Sequence, residues 1–259
     1  MERIDFGQVA NSYARSREDI PVSLMESLQI RNIRFDGKKV ADIGAGTGVL
    51  TRKISMRKAD VIGVEPSQEL IEQAKAFNRT KNYAIPYLQA TAEQTGLPDS
   101  EFDIVTAMRA WHWFDREKAI KEIKRILRPK GKLIVIDSGF LTKPAVVQTT
   151  LAIVSKYAPD GPKPAGSKAK AKQRINGFPV EWFAEWQHNG FDLRDFYKLD
   201  YSIRFTKQEW VDRIRSVSWL AAMEENVRVQ AVKELFDTLP DQEIYEIPHE
   251  CNVCILSLI

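Results

Sequence analysis

Between residues 38 and 137, short apolar runs alternate with stretches in which apolar side chains recur every three or four positions. A parallel sheet flanked by helices produces this alternation. The runs predict strands at 39–43, 61–65, 84–89, 103–108 and 132–137, and a helix from about 117 to 127 that stops at Arg128-Pro129-Lys130-Gly131. Ahead of them, residues 5–35 read as a helical leader divided at Pro21, with Phe6, Val9, Ala10 and Tyr13 at helical spacing. Behind them the composition of 139–190 changes, with Pro144, Pro159, Gly161, Pro162, Pro164 and Gly166 set among Lys163, Lys168, Lys170 and Lys172. This is the composition of an inserted, solvated loop lying above the strand ends. Phe178, Trp182, Phe183 and Trp186 then form an apolar helical stripe, expected to be the core of a cap. A strand near 193–204, a helix opened by the capping-box sequence Thr206-Lys207-Gln208-Glu209, a helix over about 224–239 and a closing strand at 249–258 complete the pattern. The expected division is 1–139 for lid helices and the first part of the core, 140–190 for a cap insertion, and 191–259 for the rest of the core with cap helices.

A chain of 259 residues that is 44% hydrophobic can bury one large core, with or without a cap. Its net charge of +3, from 38 Lys and Arg against 35 Asp and Glu, creates no field that would require nucleic acid as partner, and a small molecule is the simpler expectation. The segment from Met1 to Phe6 lacks the apolar run of a signal peptide and no window is long enough to span a bilayer, so the expected location is cytoplasmic. Cys251 and Cys254 form a C-x-x-C, but on a strand residues three apart face opposite ways, so no metal or disulfide role is expected of them.

The candidate chemistry begins at Val40 to Thr51, where a strand enters a turn containing Gly44, Gly46 and Gly48 and continues into a helix. Such a turn lets a ligand approach the main chain and the helix N-terminus. Nineteen residues beyond Gly46, Glu65 closes the run Val61-Ile62-Gly63-Val64-Glu65, where a carboxylate can accept both hydroxyls of a ribose. The G-x-G-x-G spacing is one residue shorter than the dinucleotide fingerprint, and Asp42 just before it suits an ammonium better than a pyrophosphate.

The segment Val40 to Thr51, together with Val64-Glu65-Pro66-Ser67, resembles the first two motifs of the class I S-adenosylmethionine-dependent methyltransferases. The resemblance covers residues 5–137 well and the remainder loosely. It implies an α/β, doubly wound, Rossmann-like sheet of seven strands with an antiparallel last strand and a helical cap, and S-adenosyl-L-methionine as cofactor. By resemblance, Asp42, Gly44, Ala45, Gly46, Gly48, Glu65, Pro66 and Arg109 contact the cofactor, with adenine near Ala90-Thr91-Ala92-Glu93. Thr91 stands where family members often carry an acid for the adenine amino group. The family pattern Phe-x-x-Val-Ala-x-x-Tyr with a following Arg makes Tyr13 and Arg17 candidate clamps on the cofactor's carboxylate, an ordinary surface ion pair being the alternative.

Met108-Arg109-Ala110-Trp111-His112-Trp113-Phe114-Asp115 resembles the His-Trp-Phe-Asp segment of the trans-aconitate methyltransferase group, which acts on small molecules. The resemblance implies Trp111, His112 and Trp113 as substrate residues. His112 is the catalytic candidate, either as proton acceptor or as hydrogen-bond partner of the substrate, with a structural histidine as the other reading. Arg213 and Arg215 diverge on their helix, so at most one faces the crevice, and Arg213 is the candidate for a substrate anion, with a cap-stabilising salt bridge as its other reading. The tetrapeptide of DNA and RNA amino-methyltransferases, Asn or Asp before Pro-Pro and an aromatic, does not occur. Methyl transfer to a small molecule is the leading expectation. The alternatives are an RNA or protein methyltransferase using the basic loop and a non-catalytic cofactor-binding regulator.

Overall fold

The computed structural model describes residues 20–158, 166–221 and 223–259. Seven strands form one sheet: β1 (Lys39–Ile43), β2 (Asp60–Glu65), β3 (Tyr87–Gln89), β4 (Phe102–Met108), β5 (Leu127–Phe140), and, after a two-stranded ribbon of β6 (Arg174–Ile175) and β7 (Phe178–Pro179), β8 (Phe191–Phe205) and β9 (Tyr245–Leu258). Their order is β3-β2-β1-β4-β5-β9-β8, in which β9 runs antiparallel to both of its neighbours. The expected seven-stranded, doubly wound fold with its antiparallel last strand is therefore the observed one. The chain reverses its direction of winding between β1 and β4, which pair in parallel from Val40↔Ile104 to Asp42↔Thr106. A ligand crevice forms beyond the carboxyl ends of such a pair.

Each face of the sheet buries its own apolar layer. One contains Leu24 and Leu28 of the leader helix Leu24–Ile30 with Leu50 and Ile54 of the helix after the glycine turn. The other contains Ile120 and Ile123 of the helix Arg116–Ile126 together with Phe178, Trp182 and Trp186. A third cluster joins the helices Ala145–Tyr157, Lys207–Arg215, Ser218–Ala221 and Glu225–Thr238 to Phe205, Tyr245 and Ile247 at one end of β8 and β9. Thr206 and Glu209 form the expected capping box. Cys251 and Cys254 are free and buried in the layers on opposite faces.

Several expectations change. The fifth strand is longer than 132–137, because Leu127–Phe140 is one strand that includes Arg128-Pro129-Lys130-Gly131, and the stretch 139–190 holds the helix Ala145–Tyr157 and the β6–β7 ribbon as well as loop. The third strand is shorter than 84–89, because Pro86 has no N–H to give and only Tyr87–Gln89 pair at the sheet edge. The last two strands are longer than expected because 191–205 and 245–258 pair along nearly their whole length as one ribbon. The stripe at 178–186 belongs to the main core and not to a cap: Trp186 lies 5.6 Å from the Trp111 ring, and Arg116 binds Glu185 through two bonds of 2.6 and 2.7 Å.

Trp186→Ala should therefore lower the unfolding free energy by about 3–5 kcal/mol, as for other buried large aromatics. Urea unfolding measures it. A cost below about 0.5 kcal/mol, the range of surface changes, would mean that the helix Val180–His188 is not part of the core.

Candidate active site

The crevice is built on two carboxylates that end adjacent strands. Asp42, on β1, accepts from Thr51 Oγ1 at 2.6 Å and from Thr106 Oγ1 at 2.7 Å, which ties β1 to the helix behind the glycine turn and to β4. Burial pushes its carboxyl up to about 6 against the pull of the two hydroxyls. Glu65, at the end of β2, accepts from Gly46 N at 2.9 Å on Oε2 and from Ser67 N at 3.1 Å on Oε1. Burial raises Glu65 as well, those two N–H groups oppose the rise, and the nearby Asp42 charge adds to it.

Gly44, Gly46 and Gly48 all have positive φ, of 71°, 56° and 79°. Two of them are glycine for reasons of packing. A Cβ on Gly44 would stand 2.5 Å from Ala110 Cβ, and one on Gly48 would stand 2.0 Å from the Tyr87 hydroxyl. The turn is thus pressed against the segment after β4 on one side and against β3 on the other. Gly63 takes part too, since its missing Cβ leaves room for the Tyr87 ring. Inside the turn, Thr47 Oγ1 is buried with no hydrogen-bond partner among the described residues.

The remaining sequence candidates fall on three sides of this turn. Ala92 is buried and Thr91 half-buried, while Glu93 Oε1 accepts from Asp115 N at 2.8 Å and so fastens the 91–93 segment to the next helix. Exposed Pro66 receives a bond from Gln89 Nε2 on its carbonyl oxygen. Ala45 is half-buried beside the Gly63–Tyr87 contact. Arg109 leaves β4 with φ +55°, unusual for a residue with a side chain, and its N–H donates to Ile136 O. Tyr13 and Arg17 lie outside the described residues.

Trp111 is 2% exposed and packs against Phe114 and Trp186 within the main core, so it supports the segment from behind. His112 is 7% exposed with its ring 5.0 Å from that of the half-buried Trp113. Arg213 is 2% exposed, its guanidinium 5.6 Å from the Phe140 ring at the end of β5, whereas Arg215 is half-buried on another side of the helix.

Asp137, Lys168 and Gly166 were not among the sequence candidates. Lys168 forms an ion pair with Asp137 in the last residues of the β5 ladder, where the apolar run ends, and Gly166 rests on the backbone of His112. Burial alone would raise the Asp137 carboxyl, but the Lys168 charge, the hydrogen bond from Lys168 and the Arg109 charge hold it below the ordinary range. The available signal was position: Asp137 closes the apolar run of its strand as Glu65 closes its own. The stretch read as solvated loop therefore places one of its lysines against a buried carboxylate of β5.

Residues 41–135 match the family model described as a methyltransferase domain. An uncharacterized methyltransferase of Mycobacterium tuberculosis is 35% identical over 133 residues, which is 50% of each chain, so the chain spans about half the length of that relative. A methyltransferase-like protein of Schizosaccharomyces pombe is 25% identical over 233 residues, 88% of this chain and 84% of that protein. The solved structure of an S-adenosylmethionine-dependent methyltransferase from Aquifex aeolicus covers 99% of this chain and 100% of its own at a TM-score of 0.57 and 13% identity, a likeness of fold.

The buried Asp42 carboxyl should make stability depend on pH. Its folded value of about 6 lies above the ordinary 3.8, so the stabilising effect of protonation is complete below about 3.8 and is lost as pH rises through about 6. The full effect is about 3 kcal/mol. Asp42→Asn keeps partners for both threonines and should flatten the change in unfolding free energy between pH 4 and pH 7. An unchanged pH dependence in the variant would show that Asp42 does not titrate in this range.

Proposed function

We propose, from the match of residues 41–135 to a methyltransferase domain and from the fold it shares with an S-adenosylmethionine-dependent methyltransferase, that the chain transfers a methyl group from S-adenosylmethionine to a small-molecule acceptor. The observation that carries the cofactor half is the Glu65 carboxylate, buried beside the glycine turn with one N–H bond on each oxygen. A carboxylate has about four lone-pair positions, so two remain for a pair of ribose hydroxyls. Glu65 would hold the ribose, the 44–48 backbone with Thr47 Oγ1 the amino-acid end, and the 90–93 segment the adenine. When bound, the cofactor supplies a methyl group on a sulfonium, already activated toward a nucleophile.

The chain's own task is then alignment and, for some acceptors, proton removal. Alignment alone is worth about 7–11 kcal/mol. Trp111 packed behind and Gly166 seated in front fix the backbone of His112 at the carboxyl end of β4, where its imidazole can take the proton of a hydroxyl or amine acceptor. Arg213 and Trp113 are the remaining candidates to face the acceptor. A small acceptor is favoured over RNA because Lys168 of the basic stretch is committed to Asp137 and the net charge is only +3. Among the described residues no helix is long and apolar enough to cross a membrane.

Glu65→Ala should weaken S-adenosylhomocysteine binding by about 1.5–3 kcal/mol, the range for charge-assisted hydrogen bonds, as read by titration calorimetry. Unchanged affinity in a folded variant would remove the ribose role, and tighter binding of NAD than of S-adenosylhomocysteine would overturn the cofactor assignment. With a hydroxyl or amine acceptor, His112→Gln should slow turnover about 10²–10⁴-fold, whereas a carboxylic acid needs no base and should keep most of its rate. Wild-type rates at every pH for a hydroxyl or amine acceptor would take His112 out of the chemistry.

A further inference from the structure

Lys168 differs from Lys170 and Lys172 beside it, which are exposed. Its side chain is 13% accessible and ends on Asp137 Oδ2, whose own side chain is 19% accessible. The turn that carries it, Gly166–Lys170, lies directly on the turn Trp111–Trp113. A Cβ on Gly166, where φ is +56°, would stand 2.1 Å from the His112 carbonyl oxygen and 3.3 Å from the Trp113 ring. The two turns are therefore docked at one end by a contact only glycine permits and at the other by an ion pair.

Among the described residues, the charged groups acting on Asp137 come from three elements: Lys168 from its turn, His112 from the turn after β4, and Arg109 from the end of β4. An imidazole near an ionised carboxylate is stabilised as imidazolium, and a cation placed on the same carboxylate opposes that. An imidazolium has no lone pair with which to take an acceptor's proton.

Resting on the reading of His112 as proton acceptor, we propose that Lys168 is a positioning residue for His112: by occupying the Asp137 carboxylate it keeps the imidazole neutral and able to accept a proton. Asp137 and Lys168 then form one device. Asp137 fixes where the turn docks, and Lys168 cancels the charge that would otherwise hold a proton on the neighbouring ring. The lysine must be charged and docked to do so, which explains an ion pair kept out of solvent at a strand end where a pair of apolar residues would pack as well.

The chain has three histidines, so side-chain NMR titration of His112, His188 and His249 resolves each one, with assignment by single replacement. Lys168→Met should raise the His112 midpoint by about 1 pH unit, Asp137→Asn should lower it, and Lys168→Arg should leave it near the wild-type value. The exposed His188 should titrate identically in all of these proteins. A His112 midpoint that is the same in Lys168→Met and Asp137→Asn as in wild type would overturn the proposal. So would a Lys168→Met protein in which all three histidines shift together, because that reports general loosening. Neither readout depends on methyl transfer, and S-adenosylhomocysteine calorimetry on the wild-type protein tests the parent reading separately.

Discussion

The Asp42 carboxylate is the constraint on which the crevice depends. It sits on the central strand of the winding reversal and receives one hydroxyl from the helix behind the glycine turn and one from β4, so three elements meet on two oxygen atoms. Burying a carboxylate is unfavourable even with good partners, and part of that penalty persists as a raised affinity for protons. Glu65 stands close enough to feel the Asp42 charge while gripping the same turn through Gly46 N. Two buried acids on either side of one loop repel each other, and a ligand bearing positive charge would relieve both.

The second support is aromatic. Trp111, Trp182, Trp186 and Phe178 form a continuous buried block between the sheet and the helix Val180–His188. Its position immediately after β4 means that core packing, not a loop of its own, decides where His112 lies. Ala110 on the other side is held against Gly44. Movement of this short segment would therefore disturb the core and the glycine turn at once, which gives a candidate base the rigidity that alignment requires.

Most of the sheet was legible because its strands are buried on both faces and read as unbroken apolar runs, and the glycine turn with Glu65 was legible because its spacing is chemically restrictive. What could not be read were contacts between residues far apart in sequence. Tyr87 beneath Gly48, Thr106 on Asp42 and Lys168 on Asp137 each join elements whose register the sequence alone does not specify. The misplacement of the 178–186 stripe has a local cause. An aromatic stripe in a cap and one in the main core have the same local pattern, and only packing separates them. Lys168 was hidden by composition, since a lysine among prolines and glycines is usually solvated.

The matched family segment ends at residue 135, just short of Asp137, while the helices of the third cluster and the Gly166–Lys170 turn lie wholly beyond it. The glycine turn, Glu65 and the His112 segment fall within that match; Lys168, Arg213 and the Phe140 surroundings do not. Two parts of one crevice thus have separate sequence determinants. The matched part holds the glycine turn between Ala110 and Tyr87 and ties it to Glu65. The segment beyond residue 135 brings Lys168 to Asp137 and Arg213 to the Phe140 ring, which also packs on Trp210. A change beyond residue 135 can therefore alter the number of cations around Asp137 without touching the glycine turn or Glu65, whose contacts lie within the matched segment.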